Sequence, residues 1–286
     1  MATRSDIRTE ARAIIQERTE AVVLDTDLNR WINYGGRDFT ARVQWYQRLV
    51  ALSVTARVGE ITLPTDIIKV EMVRWKAGQR VRMVDKSTYA YATFAGAAQG
   101  EPVRCTVFPH DKRLMLEPAP SASSVTTTLN GALNNSVTTI PVAATSSFLA
   151  DGFILVGSEQ IRHFNKDATN FLLARRGDAD TTAASHLNGA TVTDGTLQLW
   201  CRSLPPDLSD DSTALKIPDQ YIPIIAKYVA AQALMGPMQK MPEGTAMLKE
   251  YKIAREEARE ERFAETMDGC EGVKDEEFGM GWYGDA

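Results

Sequence analysis

Apolar positions open the chain on a helical beat. Ile7, Ala11, Ile14 and Ile15 recur at the i, i+4, i+7, i+8 spacing that gathers side chains on one helix face. Thr3 followed by Asp6 offers the capping box that starts it. A second start comes at Asp25-Thr26, ahead of Leu28, Trp31 and Ile32, and Gly35-Gly36 is expected to end that short helix. Asp38 then caps a third predicted helix, with Val43, Tyr46, Leu49 and Val50 on its inner face. From Glu60 the period falls to two. Ile61-Thr62-Leu63 predicts a short strand stopped by Pro64, Ile67 to Trp75 a longer one, and Ala77-Gly78 a turn into Arg80 to Val84. Val103 to Phe108 and Arg113 to Glu117, joined by Pro109-His110-Asp111-Lys112, predict a hairpin that Pro118-Ala119-Pro120 ends.

Between about Ser121 and Asp194 the pattern changes again. Thr, Ser, Ala, Gly and Asn dominate, charge is sparse, and no helical period is present. Short β-prone pieces (Thr138 to Val142, Phe153 to Val156, Gln160 to Phe164, Phe171 to Leu173, Ala190 to Val192) are separated by turn residues. Leu197 to Cys201 then resumes the strand pattern left at Leu114-Met115-Leu116, so residues 125–195 are expected to be an all-β domain inserted into a host. Helical spacing returns with Pro218 at a first-turn position and Ile222, Ile225, Ala226, Val229 and Ala233 in one stripe, closed by Gly236-Pro237. A last helix is predicted from about Glu243 to Met267, with Met247, Tyr251, Ala254 and Ala258 inward. Residues 269–286 lack any core period and are expected to be a flexible, glycine-rich tail.

The expected fold class is α+β: a helical bundle from both ends of the chain (residues 1–124 and 196–268, with β hairpins) plus the insert. Composition narrows the classes further. With 286 residues and 44% hydrophobic positions the chain can build its core without disulfides or metal. A net charge of −5 argues against coating DNA or an anionic membrane. No apolar run approaches ~18 residues, so no membrane partner is expected, and Met1 to Asp6 lacks the apolar stretch of a secretory signal. Cys105, Cys201 and Cys270 lie far apart, as reduced thiols of a chain made in the cytosol do.

Reactive motifs are missing. The sequence has no GxxxxGK[ST], HExxH, GxSxG or helix-opening GxGxxG. His110, His163 and His186 have no partner at ligand spacing, Cys105 and Cys201 have no neighbouring base, and no metal or cofactor is expected. Glu256, Glu257, Glu260 and Glu261 offer an acid/base pair for glycoside cleavage, but their spacing to Lys252 and Arg259 is that of a solvated helix face. Arg176-Gly177-Asp178 spells an adhesion tripeptide and is taken as coincidence. The tail differs. Phe278, Met280, Trp282 and Tyr283 sit among glycines, and aromatics in such a segment suggest ordering against a partner.

Several short stretches resemble tailed-phage head-to-tail adaptors (head completion or connector proteins). They are Leu28 to Asn33, Leu63 to Val70, Arg113 to Pro118, and Ile217 to Tyr221 leading into Lys227 to Ala231. The insert resembles a β module of phage virion proteins, through Thr127 to Asn130, Val156 to Ile161, Arg176-Gly177 and His186 to Ala190. The resemblance implies a structural, non-enzymatic virion protein, made in the host cytoplasm and placed at the neck. It would form a ring, typically dodecameric, under the portal and connect it to tail or nozzle proteins while double-stranded DNA passes through. It also implies portal contacts by the tail, hence by Phe278, Met280, Trp282 and Tyr283. The 13 acidic and 6 basic residues from Glu243 to Ala286 suit a DNA channel wall or a basic portal groove. The alternatives are a virion-associated cell-wall hydrolase and a tail-side tube or fibre-anchoring protein.

Overall fold

A computed structural model describes residues 2–17, 22–76, 78–85 and 99–268. These form a mixed α+β structure, as expected. In chain order come α1 (Arg4–Ile15), α2 (Asp25–Val43), β1 (Gln47–Leu52), β2 (Glu60–Thr62), β3 (Ile67–Trp75), β4 (Gln79–Met83), β5 (Gln99–Gly100), β6 (Arg104–Phe108), β7 (Arg113–Glu117) and β8 (Ala119–Pro120). Next come β9 (Thr126–Thr128), β10 (Ile140–Pro141), β11 (Gly152–Val156), β12 (Glu159–His163), β13 (Asn165–Lys166), β14 (Asn170–Leu172), β15 (Arg175–Asp178) and β16 (Thr191–Asp194). Then come β17 (Leu197–Ser203), a 3₁₀ turn (Asp219–Tyr221), α3 (Ile222–Met235) and α4 (Met241–Asp268). The chain divides into two compact units, Met1–Tyr46 with Leu204–Ala286, and Gln47–Ser203.

The first unit is helical. Thr3 and Asp6 close the capping box of α1: Asp6 N–H donates to Thr3 Oγ1 at 3.3 Å and Thr3 N–H to Asp6 Oδ2 at 2.8 Å. α2 runs unbroken through Gly35-Gly36, contrary to the expected stop. Both glycines are buried, and a Cβ on Gly35 would stand 2.8 Å from Tyr228 Cδ1 of α3. They allow close packing rather than a cap. Asp38 is therefore mid-helix, where its carboxylate accepts from Tyr251 Oη and Arg255 Nη1 of α4, each at 2.6 Å. The expected third helix does not form. Gln44 turns left-handed (φ 54°) to end α2, and Leu49 and Val50 lie in β1, paired with Trp200 and Leu199 of β17. Pro218 precedes the 3₁₀ turn instead of opening α3, whose first turn holds Pro223. The stripe from Ile222 to Ala233 is buried as expected, with Tyr251 and Ala258 of α4.

The second unit is β throughout. Seven strands pair in the order β1-β17-β3-β4-β6-β7-β2, and one face of the sheet buries Val50, Val73, Val81, Cys105, Leu114 and Leu199 in a single cluster. β3 occupies the predicted Ile67–Trp75, and β6 pairs β7 as the predicted hairpin. Beyond it, Ala119–Pro120 still pairs in parallel with β5. Residues 125–192 hold a separate cluster around Leu129, Ile140, Ile154, Ile161, Phe171 and Val192. At its base the Ser124 and Thr196 hydroxyls are 2.8 Å apart, and Asp194 N–H donates to Val125 O at 2.8 Å.

Candidate functional site

Alternation along β3, β4 and β6 turns one set of side chains inward and the other out. The outward set carries arginines. Arg74 stands directly opposite Arg80 across β3 and β4, and Arg82 opposite Arg104 across β4 and β6. Like charges in such positions weaken a sheet, by ~0.2–1 kcal/mol per pair. Arg104 is compensated by Glu117, 2.9 Å away. Arg74, Arg80 and Arg82 are exposed, and their guanidinium groups have no hydrogen bond or ion pair among the described residues. On the same face Trp200 of β17 is opposite Met72 of β3 and stays 42% exposed.

A cleft of about 390 Å³ in this unit is lined by Arg48, Leu49 and Trp200 and by Phe153, Arg162 and Arg175. Its cations are already engaged. Arg48 pairs with Asp66 and donates to Ala179 O and Ser203 Oγ; Arg175 meets Asp178 at 2.6 Å; Arg162 lies over Phe164 at 4.7 Å.

At the start of β12, Glu159 is 1% exposed and collects five hydrogen bonds. Arg176 donates through Nε and Nη2 at 2.7 and 2.8 Å, His186 Nε2 at 2.7 Å, and the N–H groups of Gly177 and Ala184 at 2.9 and 3.2 Å. Burial alone would raise this carboxyl, but the donors from Arg176 and His186 and the two backbone N–H groups outweigh it and hold it at about 2. Arg176 is thereby buried, so the Arg176-Gly177-Asp178 tripeptide does not present its guanidinium to solvent. His163 is buried 4.6 Å from the Phe171 ring, and burial pushes its imidazole below the ordinary value. His110 sits exposed in the β6–β7 turn.

The two strand cysteines behave as small hydrophobes. Burial pushes Cys105 up to about 12 and Cys201 in the same direction. On α4, Glu256 meets Arg259 at 3.0 Å and Glu261 accepts from Tyr221 Oη at 3.0 Å, while Glu257 and Glu260 are exposed without partners among the described residues. Among those residues no group of three or more His, Cys, Asp and Glu could hold a metal, and no helix is long and apolar enough to cross a membrane. Phe278, Met280, Trp282, Tyr283 and Cys270 lie outside the described residues. Sequence reasoning passed over both the arginine face and the Glu159 anchor. Arginines at alternate positions (Arg80, Arg82) were visible as a signal, but which of them oppose one another is set by strand register.

The described residues thus define a mixed α+β scaffold whose uncompensated charge lies on a sheet face and a helix face. The family model described as SU10 adaptor protein matches residues 2–154, more than half of the chain, and the chain belongs to that family. It is accordingly a phage structural adaptor-type protein and a virion component. The match runs from α1 into β11. No curated protein matches the chain.

Proposed function

We propose that this adaptor is the head-to-tail connector of its virion, a non-enzymatic ring, dodecameric, docked under the portal at the neck and joining it to tail or nozzle proteins. The observation that carries this reading is the family match over residues 2–154. Charge supports it. The helical unit and tail hold 24 acidic and 16 basic residues, and a net-negative wall lets DNA slide past without the counterion release that binds it. The Glu256 to Glu261 run, offered for the rival cell-wall hydrolase, is part-engaged with Arg255, Arg259 and Tyr221 on a helix surface. The chain is made in the host cytoplasm and docks under the portal of a DNA-filled capsid. The portal contact is the tail: fixing glycine-rich backbone costs roughly 1–2 kcal/mol per residue, and Phe278, Met280, Trp282 and Tyr283 bring the apolar surface that offsets it.

The test is a mass measurement of the full chain with and without purified portal. A portal complex carrying a full ring of copies is expected. Truncation after Glu277, or Trp282→Ala with Tyr283→Ala, should abolish capture while leaving the melting temperature nearly unchanged. Undiminished capture by the truncated chain would place the contact elsewhere, and no capture by the full chain would overturn the connector reading.

A further inference from the structure

We propose that the arginine face of the seven-stranded sheet docks the acidic face of α4 from a second copy of this chain. The proposal deepens the connector reading, and rests on it only in that both need copies side by side. Arg74 against Arg80 and Arg82 against Arg104 leave four cations over three adjacent strands, of which Glu117 compensates one. Stability given up in this way is recovered when an anionic partner arrives. Trp200 and Met72 border the cations on the same face and give it the mixed aromatic and arginine character of interface centres.

The chain itself carries the complement. Residues 47–203 hold 16 basic and 13 acidic residues, whereas the remainder is strongly acidic. On α4, Ile253, Glu257 and Glu260 recur at i, i+4, i+7 and share one face. All three are exposed, Ile253 at 60%, and neither carboxylate has a partner among the described residues. Glutamates three apart on a helix stand about 5–6 Å from each other, and alternate residues of a strand about 6.7 Å. Glu257 and Glu260 therefore match Arg80 and Arg82 in spacing. A sheet patch on one copy meeting a helix face on the next is a heterologous contact, the kind that propagates around a ring.

The experiment uses the full chain and two charge reversals, Arg80→Glu with Arg82→Glu and Glu257→Arg with Glu260→Arg. Sedimentation at low ionic strength should show the native chain self-associating, and added salt should weaken it. Each reversed chain alone should associate about tenfold more weakly or worse, and an equimolar mixture should recover, because each face then meets its opposite. Circular dichroism checks the fold. If the glutamates disturb the sheet, Arg80→Gln with Arg82→Gln should give a smaller loss of the same sign. The contact is overturned by a native chain that stays monomeric at low salt, by undiminished association of the reversed chains, or by a mixture that fails to recover. It is also overturned if duplex DNA binds the native chain and the arginine variant loses that binding with self-association unchanged. Portal capture is scored separately: its failure in the native chain overturns the connector reading alone, and unaltered self-association with intact capture overturns this contact alone.

Discussion

A carboxylate with five donors around it is a single-residue device whose removal has a calculable sign. Glu159 neutralises the buried Arg176 and fixes the Gly177 and Ala184 backbone. Glu159→Ala leaves a buried guanidinium unpaired, a change that costs about 3–5 kcal/mol. We expect the insert to melt early in that variant, with the loss read by thermal unfolding. The pH dependence follows from the same contacts. The folded-state value of about 2 lies below the ordinary 4.5, so the stabilisation is complete above pH 4.5 and is lost as pH falls from there toward 2. His163 works in a different window. Its folded-state value is lowered from 6.5 by burial, so the folded form prefers the neutral ring; stability is full above pH 6.5 and declines as pH falls below it. His163→Phe, which keeps a ring against Phe171, should remove the upper decline and leave the lower one. A stability profile between pH 7 and 3 that is unchanged in His163→Phe would show that the imidazole is not its source.

At the scale of elements, helix propensity and packing conflict at Gly244. Alanine would gain about 1 kcal/mol of propensity inside α4. Its Cβ would stand 2.4 Å from Met235 Cγ, 2.9 Å from Met235 N and 3.0 Å from Ala231 O. A methionine side chain can move, but the α3 backbone cannot without separating the helices, so packing wins and Gly244→Ala should destabilise by about 1–3 kcal/mol. The check is a lowered denaturant midpoint at unchanged slope. The same physics separates what was legible in the sequence from what was not. α1, α3, α4, β3 and the β6–β7 hairpin follow from local period and caps, and all stand within a few residues of expectation. Gly35-Gly36 misled because glycine pairs signal a helix end locally, whereas here Tyr228 packs against Gly35 and Leu215 against Gly36, both far along the chain. Val43, Tyr46 and Val50 satisfied a helical spacing, but the partner strand that makes 47–52 extended arrives about 150 residues later. The arginine face and the Glu159 anchor are non-local in the same way, because strand register and loop closure bring their members together.

For the molecule as a whole, the base of the insert is a geometric statement about autonomy. Ser124 and Thr196 touch through their hydroxyls, and Val125 O accepts from Asp194 N–H. The chain thus leaves the seven-stranded sheet and returns to it at one place, and a short linker can join the two ends at little closure cost. Residues 125–192 bury their own cluster, from Leu129 to Val192, while the sheet keeps a cluster that includes none of them. Polar ties across the junction include the Gln160 side chain, which accepts from Ala51 N–H at 2.8 Å and donates to Leu49 O at 3.1 Å, and Arg48, which donates to Ala179 O at 3.0 Å. Each is worth about 0.5–1.5 kcal/mol, small against burial of an eleven-residue cluster. Replacing residues 125–195 with a short glycine-serine linker should therefore leave a soluble host with helical circular dichroism and a cooperative melt. The isolated segment should fold as a β protein. The deletion also divides the interaction surfaces. Arg74, Arg80, Arg82 and the α4 glutamates lie outside the removed segment, so salt-sensitive self-association should survive it. An aggregated or unfolded deletion product would show that the seven-stranded sheet depends on the insert, and a folded product that no longer self-associates would move the copy-to-copy contact onto the removed strands.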